Sequence, residues 1–83
     1  IVGERMLIFC GNGFAFCGDV AEQTGPFSFR IEHASMVCRT GGVPWDELAD
    51  GWKREQATFR KHGTIYVGPQ FSFCREWVGE LPS

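Results

Sequence analysis

The residues able to do chemistry in this chain are few and dispersed: four cysteines (Cys10, Cys17, Cys38 and Cys74) and two histidines (His33 and His62). A Cys–His hydrolase needs a thiolate beside a base that a third group orients. Neither histidine sits in a glycine-rich nucleophile turn, and Asp46, Glu47 and Asp50 fall within one turn, as helix-end charges do. Structural zinc calls for two close ligand pairs. Here Cys10 and Cys17 are seven apart, His33 and Cys38 five, and the rest are scattered. Two disulfides would have three possible connectivities. A tight turn at 11–13, however, sets Cys10 opposite Phe14 or Ala15, and Cys17 opposite Leu7 or Ile8, which disfavours a Cys10–Cys17 bridge. Free thiols acting as small apolar side chains are the simpler reading, and they suit a reducing cytoplasm. No catalytic residue, metal or cofactor is expected.

Binding chemistry has more to work with. Gly11-x-Gly13 and Gly41-Gly42 are glycine-rich, but no Gly-Lys-Ser/Thr follows either, so neither is a P-loop. The first reads as a hairpin. The second stands between Arg39 and the start of a helix, where backbone N–H groups and a guanidinium hold an anion. Trp45, Trp52 and Arg60 add rings and a second cation, the combination with which small barrels stack bases and meet phosphates. The expected ligand-binding set is Arg39, Gly41, Gly42, Trp45, Trp52 and Arg60. Core packing is the competing role for each tryptophan.

The elements that must position these groups are mostly strands. Arg5–Cys10 reads as a strand ended by the hairpin signal Gly11-Asn12-Gly13. Residues 14–22 run back, with Gly18 marking a bulge or a close backbone approach. After turn chemistry at 23–26, Phe27, Phe29 and Ile31 alternate with Ser28, Arg30 and Glu32, which predicts a half-buried antiparallel strand. A bend at His33-Ala34 leads to a short strand over 35–38. Pro44 suits a first helical position, Asp46 and Glu47 the positive end of a helix, and Gly51 a stop. A short helix over 44–50 is predicted to plug one end of the sheet, with Trp45, Leu48, Ala49 and Trp52 as its apolar stripe. Residues 53–56 read as charged and exposed. Residues 57–60 and 64–67 read as a hairpin around His62-Gly63, and 71–74 as an edge strand. The whole predicts a mainly β fold, a small and strongly bent antiparallel barrel or roll with one short helix.

Composition bounds the rest. Eighty-three residues make one domain spanning 1–83, and eight Phe, three Trp and one Tyr supply its apolar mass. A net charge of −2 disfavours duplex DNA, whose binding rests on phosphate neutralisation. The longest strongly apolar stretch, 6–10, is far below a membrane span, and no secretory leader is visible, so a cytoplasmic protein is expected. Twelve aromatic residues in so short a chain predict exposed apolar surface and a homo-oligomer.

The order Met6-Leu7-Ile8, Phe16-Cys17-Gly18-Asp19-Val20, Phe29-Arg30-Ile31-Glu32-His33-Ala34, Thr40-Gly41-Gly42 and Trp45-Asp46-Glu47-Leu48-Ala49-Asp50-Gly51 resembles a family of small β-rich proteins from phage and prophage genomes. The resemblance covers roughly residues 5–51. It departs where members often carry Arg-Thr and this chain carries Phe9-Cys10. It implies a setting, the infected bacterial cytoplasm, and action by stoichiometric binding rather than turnover. The functional expectation is an oligomeric, non-enzymatic protein that sequesters a small anionic ligand such as a nucleotide immune messenger. The alternatives are a module that blocks a host protein complex, or an accessory virion component.

Overall fold

In the computed structural model, which describes residues 1–11 and 13–83, five antiparallel strands form a single sheet. They are β1 (Arg5–Cys10), β2 (Ala15–Gly25), β3 (Ser28–Arg39), β4 (Ala57–Val67) and β5 (Phe71–Glu76), in the spatial order β4-β3-β2-β1-β5. One α-helix, α1 (Trp45–Asp50), and a turn of 3₁₀ helix (Arg54–Gln56) bridge β3 and β4. The fold is mainly β, as expected. The sheet stays open, with β4 and β5 as its edges, so it is a bent roll rather than a closed barrel.

The β1–β2 register sets Leu7 opposite Cys17 and Phe9 opposite Ala15, and the Cys10 amide donates to the Phe14 carbonyl at 2.8 Å. Asn12, at the centre of the predicted turn, lies outside the described residues. Successive strand residues face opposite sides, so Cys10 and Cys17 are separated by the sheet itself. Each joins a different apolar cluster, and all four cysteines are unpaired.

Both faces are buried, each over half of its extent. One cluster holds Leu7, Ala15, Cys17, Val37, Leu48, Ala49 and Trp77 on the face that α1 covers. The other holds Met6, Ile8, Val20, Ile31, Ala34 and Val67 on the opposite face. There the sheet coils until Phe29 of β3 meets Phe71 and Phe73 of β5, at ring-centroid distances of 5.6 and 5.2 Å. Phe71 and Phe73 lie on an edge strand, as the alternation predicts, but their rings turn inward. Each fully buried aliphatic or aromatic side chain contributes about 1.5–3 kcal/mol, so these clusters outweigh the surface ion pairs in holding the fold.

Several local expectations are corrected. The bend at His33-Ala34 is a bulge inside one long strand: His33 has φ 55°, and the β3–β4 register shifts on either side of Ala34. The hairpin expected around His62-Gly63 is likewise a single strand, β4, whose register skips His62 next to Gly63 (φ 76°). Phe27 sits in the β2–β3 turn, 71% exposed. The helix lies over a face instead of plugging an end, and Trp52 leaves its apolar stripe, 68% exposed. Gly51 stops the helix as expected, at φ 101°.

The stretch 53–56 is not simply exposed. Arg54 turns inward and lays its guanidinium 4.0 Å from the centre of the Trp77 ring. It donates to the carbonyls of Leu48, Ala49 and Val78. One arginine thus satisfies the C-terminal carbonyls of α1 and ties the final segment to it, a use of a cation at a helix end. The Val78 amide adds a 2.8 Å bond to the Ala49 carbonyl.

Gly18 marks the closest strand approach. A Cβ there would stand 2.6 Å from Cγ2 of Ile31 and 3.1 Å from the Glu32 carbonyl oxygen. Gly18→Ala is expected to lower the unfolding free energy by about 1–3 kcal/mol, read as an earlier urea midpoint. An unchanged midpoint would contradict this packing.

Candidate functional site

Strands β2 and β3 stop pairing at Phe16 and Met36, although β3 continues to Arg39 alongside β4. From there the two strands splay, and a cleft of about 260 Å³ opens between them. It is lined by Phe14 just before β2, by Met36 and Cys38 from β3, and by Arg39, Gly41 and Trp45 from the end of β3 and the start of the helical bridge. Thr40 closes that bridge: its amide and hydroxyl both donate to the Gln56 carbonyl.

Arg39 is held rather than free. Its guanidinium lies 4.2 Å from the centre of the Trp45 ring, and Nη1 donates to the Val43 carbonyl at 2.8 Å. Trp45 in turn meets Phe9 edge-on at 5.3 Å. A guanidinium carries five N–H donors in a planar fork, so most remain for a ligand in the cleft. Gly41 takes φ 64°, a left-handed turn that carries the chain out of β3. The helix that follows has only six residues, and Asp46 and Glu47 already stand in its first turn. The attraction for an anion here therefore comes from Arg39 more than from the helix.

Of the six residues singled out in the sequence, Arg39, Gly41 and Trp45 line this one cleft, and the exposed Gly42 adjoins it. Trp52 lies beyond the far end of α1 and Arg60 on β4, where it pairs with Met36; neither lines the cleft. Strand alternation puts the Arg60 side chain on the face opposite Phe59 and Val37, away from α1.

A second cluster was not legible beforehand. Arg5 Nε donates to Asp19 Oδ1 at 2.9 Å, and Asp19 Oδ2 lies 3.2 Å from His33 Nδ1. Although burial raises the Asp19 carboxyl, the hydrogen bonds from Arg5 and His33 outweigh it, and the group sits below the usual carboxylate range. Arg5 also donates to the Gly79 carbonyl at 2.7 Å. His33, Ser35, Lys61 and Pro82 border a depression of about 250 Å³ beside this cluster. Only the cross-strand register joins residues 14 positions apart.

Burial pushes the Cys17 thiol up from the usual 9.0 to about 12, which leaves it poorly suited to nucleophilic work at neutral pH. Among the described residues, no group of three or more His, Cys, Asp or Glu side chains gathers as a metal site. Among these residues, too, no helix is long and apolar enough to cross a membrane.

Comparison with protein-family models, with curated proteins and with solved structures finds no match.

The Cys17 environment has a pH signature. The unfolded thiol ionises near pH 9 and the folded one near 12, so between those values the folded state holds more protons. Its contribution to stability is complete below pH 9 and falls as pH rises towards 12. Urea melts from pH 8 to 11 should show this decline, and Cys17→Ala should flatten it. An equal decline in the variant would assign the effect to other groups.

Proposed function

We propose that the protein is a non-enzymatic binding module that takes a phosphate-bearing ligand, such as a nucleotide, into the cleft at the splayed end of the sheet. One observation carries this reading: an arginine held over a tryptophan ring by a bond to one carbonyl, beside a glycine turn, with donors left for a ligand. Arginine matches phosphate geometry through its planar fork, and the Trp45 contact orders the side chain before a ligand arrives, which lowers the cost of binding. The cleft is small beside the roughly 300–1,000 Å³ of most small-molecule sites. It suits the phosphate end of a ligand and leaves the remainder lying over neighbouring surface. The phage setting rests on the sequence resemblance, and sequestration of a host nucleotide signal is the role that setting favours.

Self-association is a second reading, supported by the two open edges, β4 and β5. Unpaired strand edges are templates for pairing with another copy. Native mass spectrometry at micromolar protein tests it directly: a defined oligomer supports edge pairing, and a monomer across the concentration range removes it.

For the cleft, isothermal calorimetry with a nucleotide panel is the test. Arg39→Ala is expected to weaken binding by about 1.5–3 kcal/mol, the value of a charge-assisted hydrogen bond, with the circular dichroism spectrum unchanged. Unaltered affinity would remove Arg39 from the site.

A further inference from the structure

The face of the sheet away from α1 is covered only where the sheet coils. Over the other half, Phe16, Met36 and Cys38 project from β2 and β3, and Arg60 and His62 from β4. None of these belongs to either apolar cluster among the described residues. The pairing Ile8–Phe16–Met36–Arg60 runs straight across four strands. Phe16 and His62 meet at right angles, 5.3 Å between ring centres. Met36, Cys38 and Phe14 also line the cleft, so this face and the cleft are one continuous surface.

The distribution of charge says what such a surface takes. The chain has eight Lys and Arg residues against ten acids, and nearly every cation is already engaged. Arg5 pairs with Asp19, Arg30 with Glu22 and Glu32, Lys53 with Glu47, and Arg75 with Asp46 and Asp50. Arg54 is spent on three carbonyls and Trp77, and Arg39 lies at the cleft. Arg60 and Lys61 remain, adjacent on β4, exposed, and without a carboxylate partner among the described residues. Lys61 faces the other side of the sheet, across from Ser35, so on the open face Arg60 carries the uncompensated positive charge, on the side of a ring, a thioether and a histidine.

We propose that this face binds single-stranded nucleic acid, with bases stacked over Phe16 and His62, one phosphate at Arg60 and the strand running into the Arg39 cleft. Aromatic rings beside backbone-tracking cations are how sheet faces hold single strands without reading sequence. A shallow face also accepts a strand, which needs no enclosure, better than an isolated mononucleotide. Arg39 lies three residues from Met36, roughly 10 Å along β3, with its side chain turned to Trp45 on the other face; the cleft at the strand end, lined from both faces, brings a second phosphate within its reach. The inference rests on the reading of the cleft as an anion site at one end of the strand; the far end, at Arg60, is independent of it.

The test is fluorescence anisotropy of a labelled, unstructured oligonucleotide of about twelve nucleotides, run beside calorimetry with a mononucleotide. Arg60→Glu is expected to weaken the oligonucleotide at least about tenfold while leaving mononucleotide binding and the melting temperature unchanged. Phe16→Leu keeps apolar volume but removes the ring, and should weaken the strand about fivefold. With about two or three phosphates engaged, log K should fall against log salt with a slope of roughly −1.4 to −2. Mononucleotide binding that Arg39→Ala abolishes, with no tighter binding of the strand and no effect of Arg60→Glu, overturns this proposal and leaves the cleft reading standing. Equal affinity for a duplex of the same sequence, or a second protein copy covering the face in place of the strand, also overturns it. Failure of both ligands overturns both readings.

Discussion

The structure depends on a pair of offset bulges, at His33 in β3 and Gly63 in β4. Along both strands the odd-numbered positions carry the large core-forming residues: Phe29, Ile31 and Val37 on β3, Phe59, Ile65 and Val67 on β4. Unbroken pleating would put them all on one face. The extra residue in each strand moves this stripe across the sheet part-way along, so Ile31, Ile65 and Val67 join one cluster, while Val37 and Phe59 join the other. A bulge in one strand alone would leave the partner's stripe on the wrong side. The two therefore occur together, each with a residue at positive φ.

From that reversal the rest follows. One half of the sheet buries the face on which it coils, and needs Gly18 where β2 presses on β3. The other half buries the opposite face and needs a separate cover. The β3–β4 bridge and the final segment supply it, joined by Arg54 through its carbonyl bonds and its contact with Trp77. An 83-residue chain has little material left for a second layer. The outer side of the coiled half is closed by charge, Arg30 between Glu22 and Glu32, and the outer side of the covered half is left as the Phe16–Met36–Arg60 surface. The candidate binding surface is thus the place where the sheet reverses its inside and outside and nothing lies over the result.

The sequence was most readable where local signals and tertiary demands agree. The bounds of β1, the close approach at Gly18, the alternation from Phe29 to Glu32 and the stop at Gly51 all follow from residue type and spacing. Reading failed where a strand had to change sides. Gly63 after His62 carries the same chemistry as a tight turn, and only the partner strand decides between turn and bulge. Trp52 shares helical spacing with Leu48 and Ala49, but Gly51 redirects the chain before it. Arg54 looked like one more surface charge, since nothing local shows that two chain ends will converge on it. Within the candidate site, Arg39, Gly41 and Trp45 are close in sequence, so their shared place at the cleft could be read locally. Phe14, Phe16 and Met36 are brought in by register, and Arg5, Asp19 and His33 meet only through it.

Net charge is a poor guide to what such a molecule attracts. At physiological ionic strength a charge is screened within roughly 8 Å, so a ligand at the surface responds to the residues beside it rather than to the total. Four of the eight cations are neutralised by carboxylates and a fifth is folded into carbonyls. Of the remaining three, Arg39 stands on Trp45 at the end of β3, Lys61 faces the α1 side across from Ser35, and Arg60 lies on the open face across from Met36, on the side of the apolar residues that the fold leaves outside. A chain with a negative total thereby keeps cations without carboxylate partners among the described residues, one of them on the ring-bearing open face. The acids distributed elsewhere would repel an anion from the other faces, which favours one orientation of approach.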